Sequence, residues 1–324
     1  LTESLLGKGF YIKVYDKKGS YTTLIQECNE LINLGYEGFE PYFYRGNARQ
    51  SIKDYEKAIE DYKMAIDKKP GHSESYSKMS DARKNFADSR SKEDRDLIYK
   101  IAIGDMTKAI SLAEANSTLQ ADYYNKRGLI SYDLERYEDA AADFTQAISI
   151  NPNNADFYYN RGRAKRDSGD MEDSMNDFIK TIEINPNKPE AYLSLGIFYF
   201  YQQDNEKAIE NFGKAIELKT DYEIAYFQRG LIFQKLGKFE DSIKDINRAI
   251  ELCSETNLSK YHYHRAKAYL ELKDYESALN DCNKSMQLMP NNKKCYQLRM
   301  EIYEAKGEKE KAEQDRKISD LMDD

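Results

Sequence analysis

Small, aromatic and polar positions recur along this chain with a period of 34 residues, and each period has the pattern of two amphipathic helices joined by a short turn. Aligning the glycine of each Tyr-x-x-x-Gly string sets Gly46, Gly128, Gly162, Gly196 and Gly230 in one column, the last four 34 residues apart. With that column as position eight, position four holds Tyr42, Tyr76, Tyr124, Tyr158, Tyr192, Tyr226 and Tyr296. Position twenty holds Ala58, Ala102, Ala140, Ala208, Ala278 and Ala312, and position twenty-seven Ala65, Ala109, Ala147, Ala215 and Ala249. Position twenty-four carries Tyr62, Phe144, Phe178 and Phe212, and Pro70, Pro152, Pro186 and Pro290 share position thirty-two. Small residues at eight, twenty and twenty-seven let two antiparallel helices approach, where a larger side chain would overpack at roughly 1–3 kcal/mol. The aromatics fill the space beside them, each contributing on the order of 2–3 kcal/mol by burial. Proline ends the second helix, and acidic triplets such as Asp54-Tyr55-Glu56 and Asp204-Asn205-Glu206 start it, where negative charge favours the helix N-terminus.

The columns predict units at 39–72, 73–116, 121–154, 155–188, 189–222, 223–256 and 259–292, a capping unit at 293–324, and a degenerate or partial unit over 1–38 whose second helix spans about Tyr21 to Asn33. The second full unit carries about ten extra residues around 86–95, which either lengthen its helices or form a charged loop. The last unit replaces the aromatic with Arg316 and the small residue with Ser319 and ends in an acidic tail, as expected of an outer face that no neighbour covers.

These columns resemble the tetratricopeptide repeat family, strongly over 39–324 and weakly over 1–38. The resemblance implies an all-α, right-handed superhelical solenoid of antiparallel helix pairs, whose usual role is to bind another protein in a concave groove lined by positions two, five, nine, twelve and thirteen of each first helix. Two subtypes within the family are not matched. The pattern that clamps a chaperone's C-terminal carboxylate needs lysine at position five, which holds Phe43, Ser77, Asn125, Tyr159, Leu193, Phe227, Tyr263 and Gln297. The asparagine ladder of the sugar-transferase subtype is absent, since only Asn160 stands at position six.

Composition narrows the partners. A formal charge of −8, with the basic residues scattered among 57 acids, provides no basic face for phosphates, so neither nucleic acid nor anionic membrane is expected. No apolar run reaches the length of a membrane span. Cys28, Cys253, Cys282 and Cys295 form no CxxC pair, as expected of reduced thiols in a cytoplasmic protein. The chain opens on Leu1 rather than Met, so an N-terminal segment that could have carried a targeting signal is expected to have been removed.

Candidate chemistry is sparse. His262 and His264 fall on different helix faces and make poor joint metal ligands, and Cys282 occupies the aromatic column and reads as core. With no phosphate-cradling loop, nucleophile motif or HExxH string, neither catalysis nor a cofactor is expected. Arg45, Arg127, Arg161, Arg229, Arg265 and Arg299 share position seven; they form either an anion-binding ladder or stems packed on the partner helix with their heads on acids.

The groove positions are more distinctive. Leu193, Ile197, Phe200 and Tyr201, then Ile224, Phe227, Leu231 and Gln234, then Tyr263 and Leu270 make an apolar and aromatic run where a solenoid surface should be polar. Upstream, Tyr132, Tyr159, Arg163 and Arg166 read as a mixed aromatic and basic stretch suited to an acidic part of the same ligand. The expected function is therefore a non-catalytic scaffold or adaptor that binds a peptide or helix of a partner protein. The alternative is a self-associating module that forms a homo-oligomer, or the interaction arm of a larger chaperone or enzyme. On this reading, changing Phe200 and Phe227 to aspartate abolishes capture and leaves the melting transition nearly unchanged, whereas Gly196→Leu reduces stability by overpacking.

Overall fold

The computed structural model describes residues 21–322, apart from the side chain of Glu255. Residues 1–20, part of the expected partial first unit, and the last two acids of the tail lie outside the described residues. All the described regular structure is helical. The chain divides into two compact units, one ending at Asp177 and one beginning at Phe178.

The first unit contains α1 (Tyr21–Asn33), α2 (Glu40–Ser51), α3 (Tyr55–Lys68), α4 (Ser73–Ala87), α5 (Lys92–Leu112), α6 (Thr118–Asp133), α7 (Tyr137–Ile150) and α8 (Ala155–Ser168). Helix α9 (Met171–Ile184) carries the border. The second unit continues with α10 (Pro189–Tyr201), α11 (Asn205–Leu218), α12 (Glu223–Lys235) and α13 (Phe239–Leu252), a 3₁₀ turn at Glu255–Asn257, then α14 (Leu258–Glu271), α15 (Tyr275–Leu288), α16 (Lys293–Lys306) and α17 (Lys309–Asp320). Within each unit every helix packs on the next in the chain, so the core is a continuous strip of small hydrophobic clusters rather than one centre. The extra residues of the second full unit lengthen both its helices, to 15 residues in α4 and 21 in α5, leaving a link of 88–91.

The small column has the effect its spacing implies. A Cβ added at Gly196 would lie 2.6 Å from the Phe212 ring, and one at Gly128 would lie 2.8 Å from Phe144, so each aromatic sits directly over a glycine of the preceding helix. The acidic start signals are N-caps in several repeats, Asp204 accepting from the Lys207 amide at 3.1 Å and Asp274 from the Ser277 amide at 3.2 Å.

A column absent from the sequence reading lies at the turn between paired helices. Lys53, Glu135, Gly169, Gln203, Gly237, Lys273 and Gly307 all adopt positive φ, although only three are glycine. The left-handed conformation costs a residue with a Cβ about 1–2 kcal/mol, part of which glycine loses again to unfolded-state entropy. Gln203→Gly is therefore expected to raise the urea midpoint by an amount equivalent to about 0.5–1 kcal/mol; a lower midpoint would show that the Gln203 side chain holds the turn.

The arginine row resolves in favour of packing on acids. Arg45, Arg127, Arg161, Arg229, Arg265 and Arg299 each grip the aspartate sixteen residues on, respectively Asp61, Asp143, Asp177, Asp245, Asp281 and Asp315, through Nε and Nη2. These aspartates are buried. The remaining nitrogen, Nη1, reaches a neutral acceptor on the second helix of the preceding repeat: Asn29, Thr107, Thr145, Asn247 and Asn283 for Arg45, Arg127, Arg161, Arg265 and Arg299. The position-four tyrosines lie 5.5–5.9 Å from five of the guanidinium groups, which explains the Tyr-x-x-Arg string. With every head occupied by a carboxylate, the row offers no ladder of free cations for anions.

The repeat from Pro189 lacks the device at both ends. Leu195 replaces the arginine and Asn211 the aspartate. Gly213 stands where five other repeats supply an acceptor, and a Cβ there would lie 3.6 Å from Arg229 Nη1.

Candidate functional site

In the first unit, α6 and α8 lie side by side and bring Tyr132, Tyr159, Arg163 and Arg166 onto one face. Arg163 stacks 4.3 Å above the Tyr132 ring and lies 5.9 Å from Tyr159. Arg166 is not a free cation: it donates to Asp167 at 2.8 Å and 3.2 Å, and the Tyr132 hydroxyl donates to the same carboxylate. Burial works against that charge, but the Arg166 and Tyr132 hydrogen bonds outweigh it and hold Asp167 below the usual carboxylate range. Asp167 thus neutralises one of the two cations expected of this stretch and leaves Arg163, stacked on Tyr132, as the other.

In the second unit the first helices α10, α12, α14 and α16 touch in succession and present a common face. Tyr201 at the end of α10 is 75% exposed, and Ile224 at the start of α12 is 43% exposed. Leu193, Ile197 and Phe200 are half-buried against Ala208, Phe212 and Ile232, and Leu231 packs beside Ile246 and Ala249. Lys235 Nζ lies 5.7 Å from the Phe200 ring, and Gln234 donates from Nε2 to the His264 carbonyl at 2.9 Å, tying α12 to α14.

Phe227 departs from the expectation. It is 2% exposed, with Tyr261 at 4.3 Å and His264 at 5.3 Å between ring centroids. Helix α14 brings an aromatic at position three that closes over it, so Phe227 is a core residue rather than a lining one. Tyr263 remains half-exposed beside His264 at 5.2 Å.

Sequence reasoning also passed over the charge on this face. Lys260 and Lys267 occupy positions two and nine of α14 and Lys294 position two of α16, all exposed; collecting only apolar residues from the groove columns left them out. His264 is flanked by all three. Burial, followed by Lys267, Lys260 and Lys294, pushes its pKa down to about 4, so the imidazole is neutral at pH 7, and its Nδ1 is buried without a hydrogen-bond partner. The other ring of the His-x-His pair, His262, donates from Nδ1 to Asp281 at 2.9 Å in the core, so the two histidines face different surroundings.

No group of three or more His, Cys, Asp or Glu able to hold a metal occurs among the described residues, and none of their helices is long and apolar enough to cross a membrane. The cysteines are free, and burial raises the Cys28 thiol to about 12, which makes it a packing group rather than a nucleophile.

Helix pairs stacked by close glycine–aromatic contacts, with a common face formed by the first helices, define a helical-hairpin repeat protein of the solenoid class. Residues 128–165 and 198–237 match the model described as TPR repeat, and residues 155–188, 224–256 and 259–292 match models described as Tetratricopeptide repeat. Through residues 128–292 the chain belongs to the tetratricopeptide-repeat family. No curated protein matches the sequence at a significant level. Among solved structures, a tetratricopeptide repeat protein from Parabacteroides merdae is 18% identical, with 81% of this chain and 97% of that one covered at a TM-score of 0.56. The Pseudomonas aeruginosa pilF protein is 16% identical, with 60% and 88% covered at a TM-score of 0.52. At these identities the likeness establishes the fold.

Proposed function

We propose that this chain is a non-catalytic interaction module that holds a peptide segment of a partner protein against the first-helix face of its second unit. One observation carries this reading: Tyr201 and Ile224 are exposed, and half-buried Leu193, Ile197, Phe200, Leu231 and Tyr263 continue the apolar surface across three adjoining helices. Apolar surface gathered in this way on a protein that otherwise spends its charge on its exterior is expected to be covered by a ligand.

Selection from a displayed library of random twelve-residue peptides on the full chain tests the proposal. Wild type is expected to enrich a family of peptides, and the Tyr201→Asp/Ile224→Asp variant to recover them at least tenfold less well. Both positions are exposed, so the variant should melt within about 3 °C of wild type. Equal recovery by the variant would place binding elsewhere.

A further inference from the structure

We infer that the peptide held on this face carries side-chain carboxylates, received by Lys260, Lys267 and Lys294 beside the Phe227–Tyr263–His264 aromatic cluster. This inference rests on the proposed function and adds the chemistry of the ligand.

The lysines form a cluster because of helix geometry. Lys260, His264 and Lys267 follow an i, i+4, i+7 spacing along α14 and so share one stripe of that helix. Helix α16 packs against α14 and presents Lys294 at the register position that Lys260 holds on α14. Lys260 Nζ stands 4.8 Å from the Phe227 ring, and that ring is 5.3 Å from His264, which fixes the Lys260 ammonium to the edge of the aromatic surface. All three ammonium groups act on the His264 ring.

These charges are not part of the fold. Elsewhere the chain pairs its interior cations closely, as in the arginine row, but among the described residues Lys260, Lys267 and Lys294 make no ion pair. The neutral His264 adds no charge of its own. Glu301 of α16 bears on the neighbouring Tyr263, and Glu271 and Glu304 stand further along the same groove columns, Glu304 paired with Arg316. Beside His264 the three lysines thus form a local positive patch in a chain whose formal charge is −8.

That contrast selects the occupant. At physiological salt an exposed charge is felt over about 8 Å, so the patch attracts an anion placed on it while the remaining acids repel a long polyanion lying across the surface. Two or three carboxylates interleaved with apolar residues match both the lysines and the adjoining apolar surface of Ile224, Leu231 and Tyr263; a phosphate backbone or an anionic bilayer matches only the lysines. The ligand is thus a short acidic segment with aromatic or aliphatic anchors.

The same peptide selection decides the matter, run on wild type and on a Lys260→Glu/Lys267→Glu/Lys294→Glu variant, whose exposed substitutions should leave the melting transition in place. The expected result is enrichment of Asp and Glu among wild-type peptides and its loss or reversal with the variant. A synthetic copy of the leading peptide should bind the variant at least tenfold more weakly, as should its Glu→Gln and Asp→Asn counterpart bind wild type. Peptides recovered with acids at library frequency, or equally by both chains, overturn this inference and leave the binding face standing. Recovery of no peptide by wild type overturns both proposals, and binding of an oligonucleotide or of phosphatidylserine vesicles through the same lysines under those conditions would reassign the patch to phosphate.

Discussion

Replacing Asp281 with alanine is expected to cost about 3–5 kcal/mol, the largest loss of any single polar substitution in the second unit. The carboxylate is 1% exposed and accepts from Arg265 Nε and Nη2, each at 2.7 Å, and from His262 Nδ1 at 2.9 Å. Burial opposes its charge, yet the hydrogen bonds of Arg265 and His262 hold it below the usual carboxylate range. Removing it leaves the Arg265 guanidinium, whose side chain is 15% exposed, without its counter-charge between two helices. The companion variant Arg265→Met/Asp281→Leu removes both charges and leaves the buried His262 donor and the half-buried Asn247 acceptor without these partners, which costs about 1–3 kcal/mol. Urea unfolding followed by circular dichroism should therefore order the midpoints as wild type, double variant, single variant. A double variant no more stable than Asp281→Ala would mean that the aspartate acts through packing rather than by compensating the arginine.

Phe227→Asp is expected to lower the melting transition by about 6–12 °C, corresponding to a loss of about 3 kcal/mol or more. The substitution empties the space under Tyr261 and places a carboxylate at a site 2% exposed, with Lys260 the one cation stacked on it. Tyr201→Asp, by contrast, alters a side chain 75% exposed and should leave the transition nearly unchanged. The pair of melts distinguishes a residue that makes the face from one that presents it. A Phe227→Asp chain melting with wild type would require Tyr261 to fold away and Phe227 to belong to the surface after all.

Periodic columns made the helix pairs legible because each column answers to a contact repeated within every unit, such as Phe212 over Gly196. Two further columns were equally periodic and went unread. The aspartates sixteen residues after the arginines are visible in the sequence, but acids on helices are so frequent that without the buried geometry they look like surface. The left-handed turn position was hidden because Lys53, Glu135, Gln203 and Lys273 stand where glycine would have marked it. On the candidate face the register located Tyr201, Ile224 and Tyr263, but exposure depends on what the next repeat places opposite. Tyr261 at position three turned Phe227 into core, and Asp167 turned Arg166 into half of an ion pair. Such neighbour effects cross repeats, and a column read down one position does not contain them.

The arginine row also bears on how such a chain can grow. Both charged members of each pair belong to the same 34-residue segment, while the link to the preceding segment is made to neutral Asn or Thr side chains. Copying or excising a whole segment therefore separates no arginine of the row from its aspartate and costs the row at most one hydrogen bond to a neutral side chain, although lysine pairs such as Lys126–Asp81 and Lys84–Asp133 do cross segments. The segment from Pro189, with Leu195 and Asn211, tolerates the loss of both members together. For the arginine row, tandem duplication is in this sense electrostatically closed, each new unit bringing its own counter-charge.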